Sequence, residues 1–243
     1  MDGLVLHTTR GILNPQTLDG ARQLHNAFVT QGPQPGIEIA RSLGDLSHNL
    51  YSPADGAGDL SDAKPGELLF VDFWAEPDGM ETFFSHPSAQ KAADQLYASR
   101  EESEWKTTPA AAFQFPARAD APARFIAIMQ ATIRSPDDTI AGLQRLANLG
   151  AARRRGQLAH HLFVRHTTQV TARPASNTRR SNGENIAAVP TAPAEILVVD
   201  VWPTLTGLNE HYNDTTVMNG LRDAVAGPLA MSVWEQASGF AEW

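Results

Sequence analysis

Two histidines and two aspartates recur at matched positions of this 243-residue chain, and these are residue types that can move a proton. His48 stands in Gly44-Asp-Leu-Ser-His-Asn-Leu-Tyr51 and His160 in Gly156-Gln-Leu-Ala-His-His-Leu-Phe163. Asp72 stands in Glu67-Leu-Leu-Phe-Val-Asp-Phe-Trp74 and Asp200 in Glu195-Ile-Leu-Val-Val-Asp-Val-Trp202. Leucines lie two residues to either side of each histidine (Leu46, Leu50, Leu158, Leu162), and residues at spacing two share one face of a strand. The pattern therefore predicts imidazoles turned toward an apolar interior, where each needs a hydrogen-bond partner. Asp72 and Asp200, on the following strand, are the partners within reach. A carboxylate held against an imidazole orients the ring and raises its basicity, which prepares a general base.

His48, His160, Asp72 and Asp200 are accordingly the candidate catalytic residues. Trp74 and Trp202 share a face with the aspartates and are candidate walls of a substrate pocket. His7 is a further substrate-binding candidate, because it lies on the first strand of one copy only, with Ile128 in its place in the other. The competing reading is structural: the repeated His/Asp/Trp set satisfies its own hydrogen bonds at the interface between two sheets. No metal site is expected. Cysteine is absent, and the neighbouring His160 and His161 point to opposite faces of a strand.

Both copies of this motif sit in the same run of elements: strand, helix, strand, strand, helix, strand. Asn14-Pro15 and Ser135-Pro136 each offer an N-cap followed by proline at the first helical position. The second strands are expected at Leu43–Tyr51 and Gln157–Thr168, and the third at Glu67–Trp74 and Glu195–Trp202. The helices that follow begin at Asp78-Gly79 and Thr206-Gly207 and reach about Ser99 and Gly227. Pro87 implies a break at His86-Pro87, matched by Asp214 in the second copy. The last strands are expected at Ala111–Phe115 and Leu229–Trp234. The first copy carries an insertion near Gln31–Ile39. The second carries a longer polar one at Arg165–Ala194, which reads as a mobile loop. Residues 1–118 and 123–243 are thus two tandem units joined by a short Pro/Ala/Arg linker.

A βαββαβ unit in this order is ferredoxin-like, and the chain resembles the dimeric α+β barrel superfamily, in particular its antibiotic-biosynthesis-monooxygenase-like branch. The Val71-Asp-Phe-Trp74 and Val199-Asp-Val-Trp202 strands, each leading to a helix marked by Gly79 or Gly207, carry the resemblance. It implies an α+β fold in which tandem ferredoxin-like repeats form a fused dimeric α+β barrel, as two four-stranded antiparallel sheets packed face to face. It also implies a cofactor-free monooxygenase-like enzyme acting on a small aromatic, quinone-like or polyketide-derived compound. The expected cofactor set is none: Asp94 and Arg222 stand where haem-degrading members carry a ligand histidine. Phe70 and Val198 replace the asparagine that aromatic-polyketide oxygenases place four residues before the tryptophan. The alternative is a non-catalytic small-molecule-binding or structural protein of the same fold.

Composition narrows the partners. The net charge of −8 comes from the first half, which has 8 basic against 17 acidic residues within positions 1–120, while the second half has 11 against 10. An acidic chain lacks the basic surface that displaces counterions from nucleic acid. With no run of about 20 apolar residues and no leader-like N-terminus, no membrane partner is expected and a cytoplasmic location is the default. The remaining partners are a small aromatic molecule and, beyond the internal pseudo-dimer, a second copy of the chain.

Overall fold

The computed structural model describes residues 4–14, 17–31, 35–108, 113–114, 124–133, 135–148, 150–165 and 194–243. The first repeat runs β1 (Val5–Leu13), α1 (Leu18–Thr30), α2 (Gly36–Ser42), β2 (Asp45–Pro53), β3 (Glu67–Trp74), α3 (Pro77–Phe84), α4 (Pro87–Leu96) and β4 (Tyr97–Thr107). A short β5 (Phe113–Gln114) follows. The second repeat runs β6 (Phe125–Ile133), α5 (Pro136–Asn148), α6 (Ala151–Arg154), β7 (Ala159–Arg165), β8 (Ala194–Trp202), α7 (Leu205–Tyr212), α8 (Thr215–Ala224) and β9 (Ala230–Gln236).

The strands follow the order β4-β1-β3-β2-β9-β6-β8-β7, and β4 pairs with β7 to close the ring. The expected fused α+β barrel is present, and its two four-stranded halves are joined at their edges into one closed sheet: Tyr51–Pro53 of β2 meet Trp234–Gln236 of β9, and Trp105–Thr107 of β4 meet Phe163–Arg165 of β7. Closure removes the open strand edges that separate sheets would expose. Leu6, Leu69, Val71, Trp105, Ile128, Phe163, Val199 and Trp234, drawn from both repeats, fill the barrel interior. Alternate residues of the same strands face outward and pack beneath the helices.

Several local signals act as their chemistry dictates. The His86 side chain accepts from the Ser88 amide and Asp214 from the Thr216 amide, so the two helix breaks are capped alike. A Cβ added at Gly79 would lie 1.8 Å from the Leu43 carbonyl oxygen, and one at Gly207 would lie 2.2 Å from that of Arg155. Only glycine lets these helices approach the preceding loop so closely.

Other expectations are corrected. The first helix starts at Leu18 behind a Thr17 cap, not at Asn14-Pro15. Residues near Ile39 form the additional helix α2. The fourth strand of repeat 1 is Tyr97–Thr107, so the helix before it ends at Leu96; of the expected strand at Ala111–Phe115, residues 113 and 114 are described and form β5. The linker after residue 115 and nearly all of the insertion after Arg165 lie outside the described residues. Among the described residues, no helix is long and apolar enough to cross a membrane.

Candidate functional site

β2 and β3 lie in a register that sets His48 directly opposite Asp72, and β7 and β8 set His160 opposite Asp200. His48 Nδ1 donates to Asp72 Oδ1 at 2.7 Å, and His160 Nδ1 to Asp200 Oδ1 at 2.6 Å. Both pairs are buried, but beneath the helices and not between the sheets, because the residues alternating with them fill the barrel interior. Leu46 departs from the expected face. The register shifts between Asp45 and Ser47, and the extra residue leaves Leu46 55% exposed while Leu50 stays buried.

The two repeats differ in what surrounds these pairs. In repeat 2 the helix-facing side is one continuous apolar cluster that includes Met129, Leu143, Leu162, Val198, Trp202, Leu208, Tyr212 and Leu221. The Tyr212 hydroxyl donates to the second oxygen of Asp200. In repeat 1 the same side splits into two clusters, one around Leu13, Leu50, Leu68 and Tyr97, the other around Val5, Ala40, Trp74 and Met80. Phe84, at the position corresponding to Tyr212, has no hydroxyl and stacks on His7 with ring centroids 3.9 Å apart.

A cavity of about 370 Å³ lies in this half, lined by His25, Phe28, Asp45, His48, Phe70, Asp72, Trp74, Phe83, Phe84, Tyr97 and Trp243 among others. That volume lies within the range of roughly 300–1,000 Å³ usual for small-molecule sites. Three polar atoms on its wall have no hydrogen-bond partner among the described residues: Asp45 Oδ1, Trp74 Nε1 and Tyr97 Oη. Repeat 2 has buried unpartnered atoms too, His211 Nδ1 among them, so it is the cavity itself, with Asp45 and Tyr97 on its wall, that sets repeat 1 apart.

His7 lies opposite Asp72 on β1, with Nδ1 3.9 Å from Asp72 Oδ2, beyond hydrogen-bond length. It stands behind Phe84 and is not among the lining residues. Its structural counterpart is Ala127 and not Ile128, since Ala127 is the residue opposite Asp200.

His25 is the functional candidate that sequence left without a partner. Its Nε2 lies 2.9 Å from His48 Nε2, and its Nδ1 lies 3.1 Å from Asn26 Oδ1. The Asn26 oxygen also accepts from the Ala241 amide, and the Asn26 amide nitrogen donates to the Gly239 carbonyl. Asn26 Oδ1 is thus an acceptor, so His25 Nδ1 donates and His25 Nε2 is left to accept from His48. His48 consequently donates from both ring nitrogens, to Asp72 and to His25, as an imidazolium does.

The electrostatics agree. Burial alone would lower His48, but the charge and hydrogen bond of Asp72, with smaller contributions from Asp45 and Glu242, hold it above its ordinary value. Burial would raise Asp72, yet His48 and then His7 keep it below the usual carboxylate range. Burial and the charge on His48 push His25 down to about 3, so it stays neutral. Burial and then the charge of Asp72 push Asp45 up to about 7.

Asp45 therefore has a testable effect on stability. Its folded value exceeds the unfolded one, so the folded protein holds the extra proton between about pH 4 and 7 and loses stability as pH rises through that window. Asp45→Asn is expected to be more stable than wild type above pH 7 by about 1–2 kcal/mol and to show no gain near pH 4. Urea titrations at pH 4 and pH 8 measure this.

The C-terminal segment completes the site. The His48 amide donates to the Trp243 carbonyl at 2.9 Å, Glu242 accepts from the Leu50 amide at 2.8 Å, and the Trp243 ring stacks on His48 at 4.5 Å. The repeat 1 cavity is thus roofed by residues from the end of repeat 2. Among the described residues, no group of three or more His, Cys, Asp or Glu side chains is placed to hold a metal. Asp94 lies outside this site, paired with Arg100 at 2.7 Å.

No protein-family model and no curated protein matches the sequence. The fold does match solved structures. A proposed monooxygenase from Lactobacillus acidophilus NCFM aligns with a TM-score of 0.57 and 6% identity over 98% of this chain and 95% of its own. An anthrone oxidase-like protein aligns at 0.56 and 12% identity over 97% and 92%, and a proposed monooxygenase from Fusobacterium nucleatum subsp. nucleatum at 0.51 and 9% over 100% and 98%. The chain has the dimeric α+β barrel fold. Both halves of that barrel lie in one polypeptide, each a ferredoxin-like unit.

Proposed function

We propose that repeat 1 houses a cofactor-free, monooxygenase-like site for a small planar aromatic or quinone-like compound, and that repeat 2 closes the barrel and supplies the roof. The observation that carries this reading is the asymmetry between two copies of one motif. Where the His/Asp pair is capped by Tyr212 the space is filled, and where Phe84 replaces that tyrosine a cavity with unpartnered polar atoms remains. A structural role for the motif gives no reason for the two interiors to differ.

The chemistry follows from the lining. Aromatic side chains take a flat ring, and the His48 imidazolium, fixed by Asp72, stabilises an anion formed when the substrate gives up a proton. An electron-rich carbanion or enolate can then react with dioxygen. For a methylene between two rings, the CH₂ group and O₂ become a ketone and water, both hydrogens leaving in the water. The substrate supplies the electrons, so no separate reductant is consumed. The likeness to an anthrone oxidase-like protein supports a substrate of this kind.

Thermal denaturation with a panel of planar aromatics and quinones tests the reading. A ligand at about 100 times its Kd stabilises the native state by about 2.7 kcal/mol, which for a chain of this size raises Tm by about 5 to 10 °C. A panel of anthrones, naphthols and quinones that leaves Tm unmoved at millimolar concentration would overturn the proposal in favour of a structural protein.

A further inference from the structure

With both nitrogens of His48 committed, the cavity needs another group to take a proton. We propose that Asp45 is the proton-accepting residue of the repeat 1 cavity, with His48 serving as the fixed positive charge beside it. The inference rests on the proposed small-molecule site and assigns a role within it.

The geometry of β2 makes the case. Asp45 and His48 are three residues apart, and in a regular strand an odd spacing would put them on opposite faces. The irregularity between Asp45 and Ser47 inserts one residue, turns Leu46 out to solvent and brings both side chains to the cavity wall. Asp45 is 6% exposed; the Ser47 backbone and the Trp243 side chain act on its carboxyl as hydrogen-bond donors, and its Oδ1 has no hydrogen-bond partner among the described residues. A buried carboxyl oxygen with no protein partner, opening on a cavity, is placed to bond to whatever occupies that cavity.

The second repeat supplies a comparison within the same molecule. Gly44 and Gly156 occupy matching turns with φ of 96° and 93°, so Asp45 corresponds to Gln157, which is also buried. The filled half thus carries a neutral amide where the hollow half carries an acid. Packing alone accepts either side chain, but only the carboxylate can accept a proton. The charged groups facing Asp45 are Asp72 of β3 and His48 of its own strand. His25 of α1, Lys91 of α4 and Glu102 of β4 stand on the same cavity wall. Glu242 of the C-terminal segment acts on His48. Asp45 stands between opposing influences, Asp72 favouring its protonated form and His48 its ionised one.

A matched pair of probes, 2-naphthol and 2-methoxynaphthalene, tests this by calorimetric titration from pH 5.5 to 8.5. The two differ in whether the ring carries a hydroxyl that can donate. In the wild type, 2-naphthol is expected to bind about tenfold more tightly at the alkaline end, because a hydrogen bond to a carboxylate is roughly twice as strong as one to a neutral group. The affinity of the methyl ether should not rise. In Asp45→Asn, which keeps the side-chain shape, both probes should bind with pH-independent affinity, and in Asp45→Glu the dependence should return. If both probes bind but the response to pH is missing in the wild type, or survives in Asp45→Asn, the role of Asp45 is overturned and the aromatic site stands. If neither probe binds at any pH, the site itself is overturned, and the role of Asp45 with it.

Discussion

Replacing Asp72 by alanine is expected to lower the unfolding free energy by about 3–5 kcal/mol, the cost of leaving a buried charge without its partner. Asp72 is the only carboxylate hydrogen-bonded to His48 among the described residues, at 2.7 Å, and both side chains are more than nine-tenths buried. The pH dependence carries the diagnosis. His48 has a folded value above its unfolded one, so its contribution is complete below about pH 6.5 and is lost as pH rises through the folded value. Asp72 has a depressed folded value, so its contribution is complete above about pH 4 and is lost as pH falls through the folded value. The difference between wild type and Asp72→Ala should therefore be largest between about pH 4 and 6.5 and should narrow by pH 9. Urea denaturation at pH 5.5 and pH 9 reads it directly. A loss under 1 kcal/mol, or one that does not change with pH, would mean that the pair is not ionic, and the charge assigned to His48 would have to be withdrawn.

The pairs themselves were legible in the sequence because they rest on two local regularities. Alternation along a strand fixes which residues share a face, and duplication shows which of them recur together. What alternation could not reveal is the irregularity at Leu46, where one extra residue reverses the face of everything before it and brings Asp45 to the cavity. The contrast between Asp45 and Gln157 was visible in the aligned copies, but its meaning depends on that reversal. His25 stayed obscure for a different reason. Of its partners, Asn26 is held by backbone at Gly239 and Ala241, more than 200 residues away in the chain, and His48 by the backbone of Trp243.

The misplaced fourth strand has a physical cause too. Tyr97–Thr107 contains Arg100, Lys106, three glutamates and three Ser or Thr residues with little apolar content, and only Tyr97 and Trp105 are buried. Such a strand is held by its ladders to β1 and β7 rather than by an apolar face of its own. The apolar run at Ala111–Phe115 therefore looked like the better strand. Closure of the barrel shares this property, since edge pairing is a matter of backbone groups that side-chain patterning does not encode.

Substituting alanine for His48 and, separately, for His160 should give two variants of opposite activity. Each substitution strips a buried aspartate of its imidazole: His48→Ala breaks the ionic pair and should cost about 3–5 kcal/mol, as Asp72→Ala does, and His160→Ala should cost about 1–3 kcal/mol. His160→Ala keeps the bond from Tyr212 to Asp200, which places its cost at the lower end of that span. Function should separate them much further. His48 lies on the cavity wall beside Asp45, Trp74 and Tyr97, and loss of a positioned charge or proton-handling group typically lowers a rate by about 10²–10⁴. His160 lies in the half filled by Tyr212 and the apolar cluster around it, so His160→Ala should turn over any substrate found for the wild type at a rate within about threefold, the scatter expected of a distant, independent site. The assay is oxygen uptake with an anthrone-type substrate, run beside a thermal scan of each variant. Equal losses in the two variants would return the His/Asp motif to a structural role in both repeats. A loss confined to His160→Ala would move the site to the half that the structure shows filled, and the asymmetry on which the proposed function rests would no longer support it.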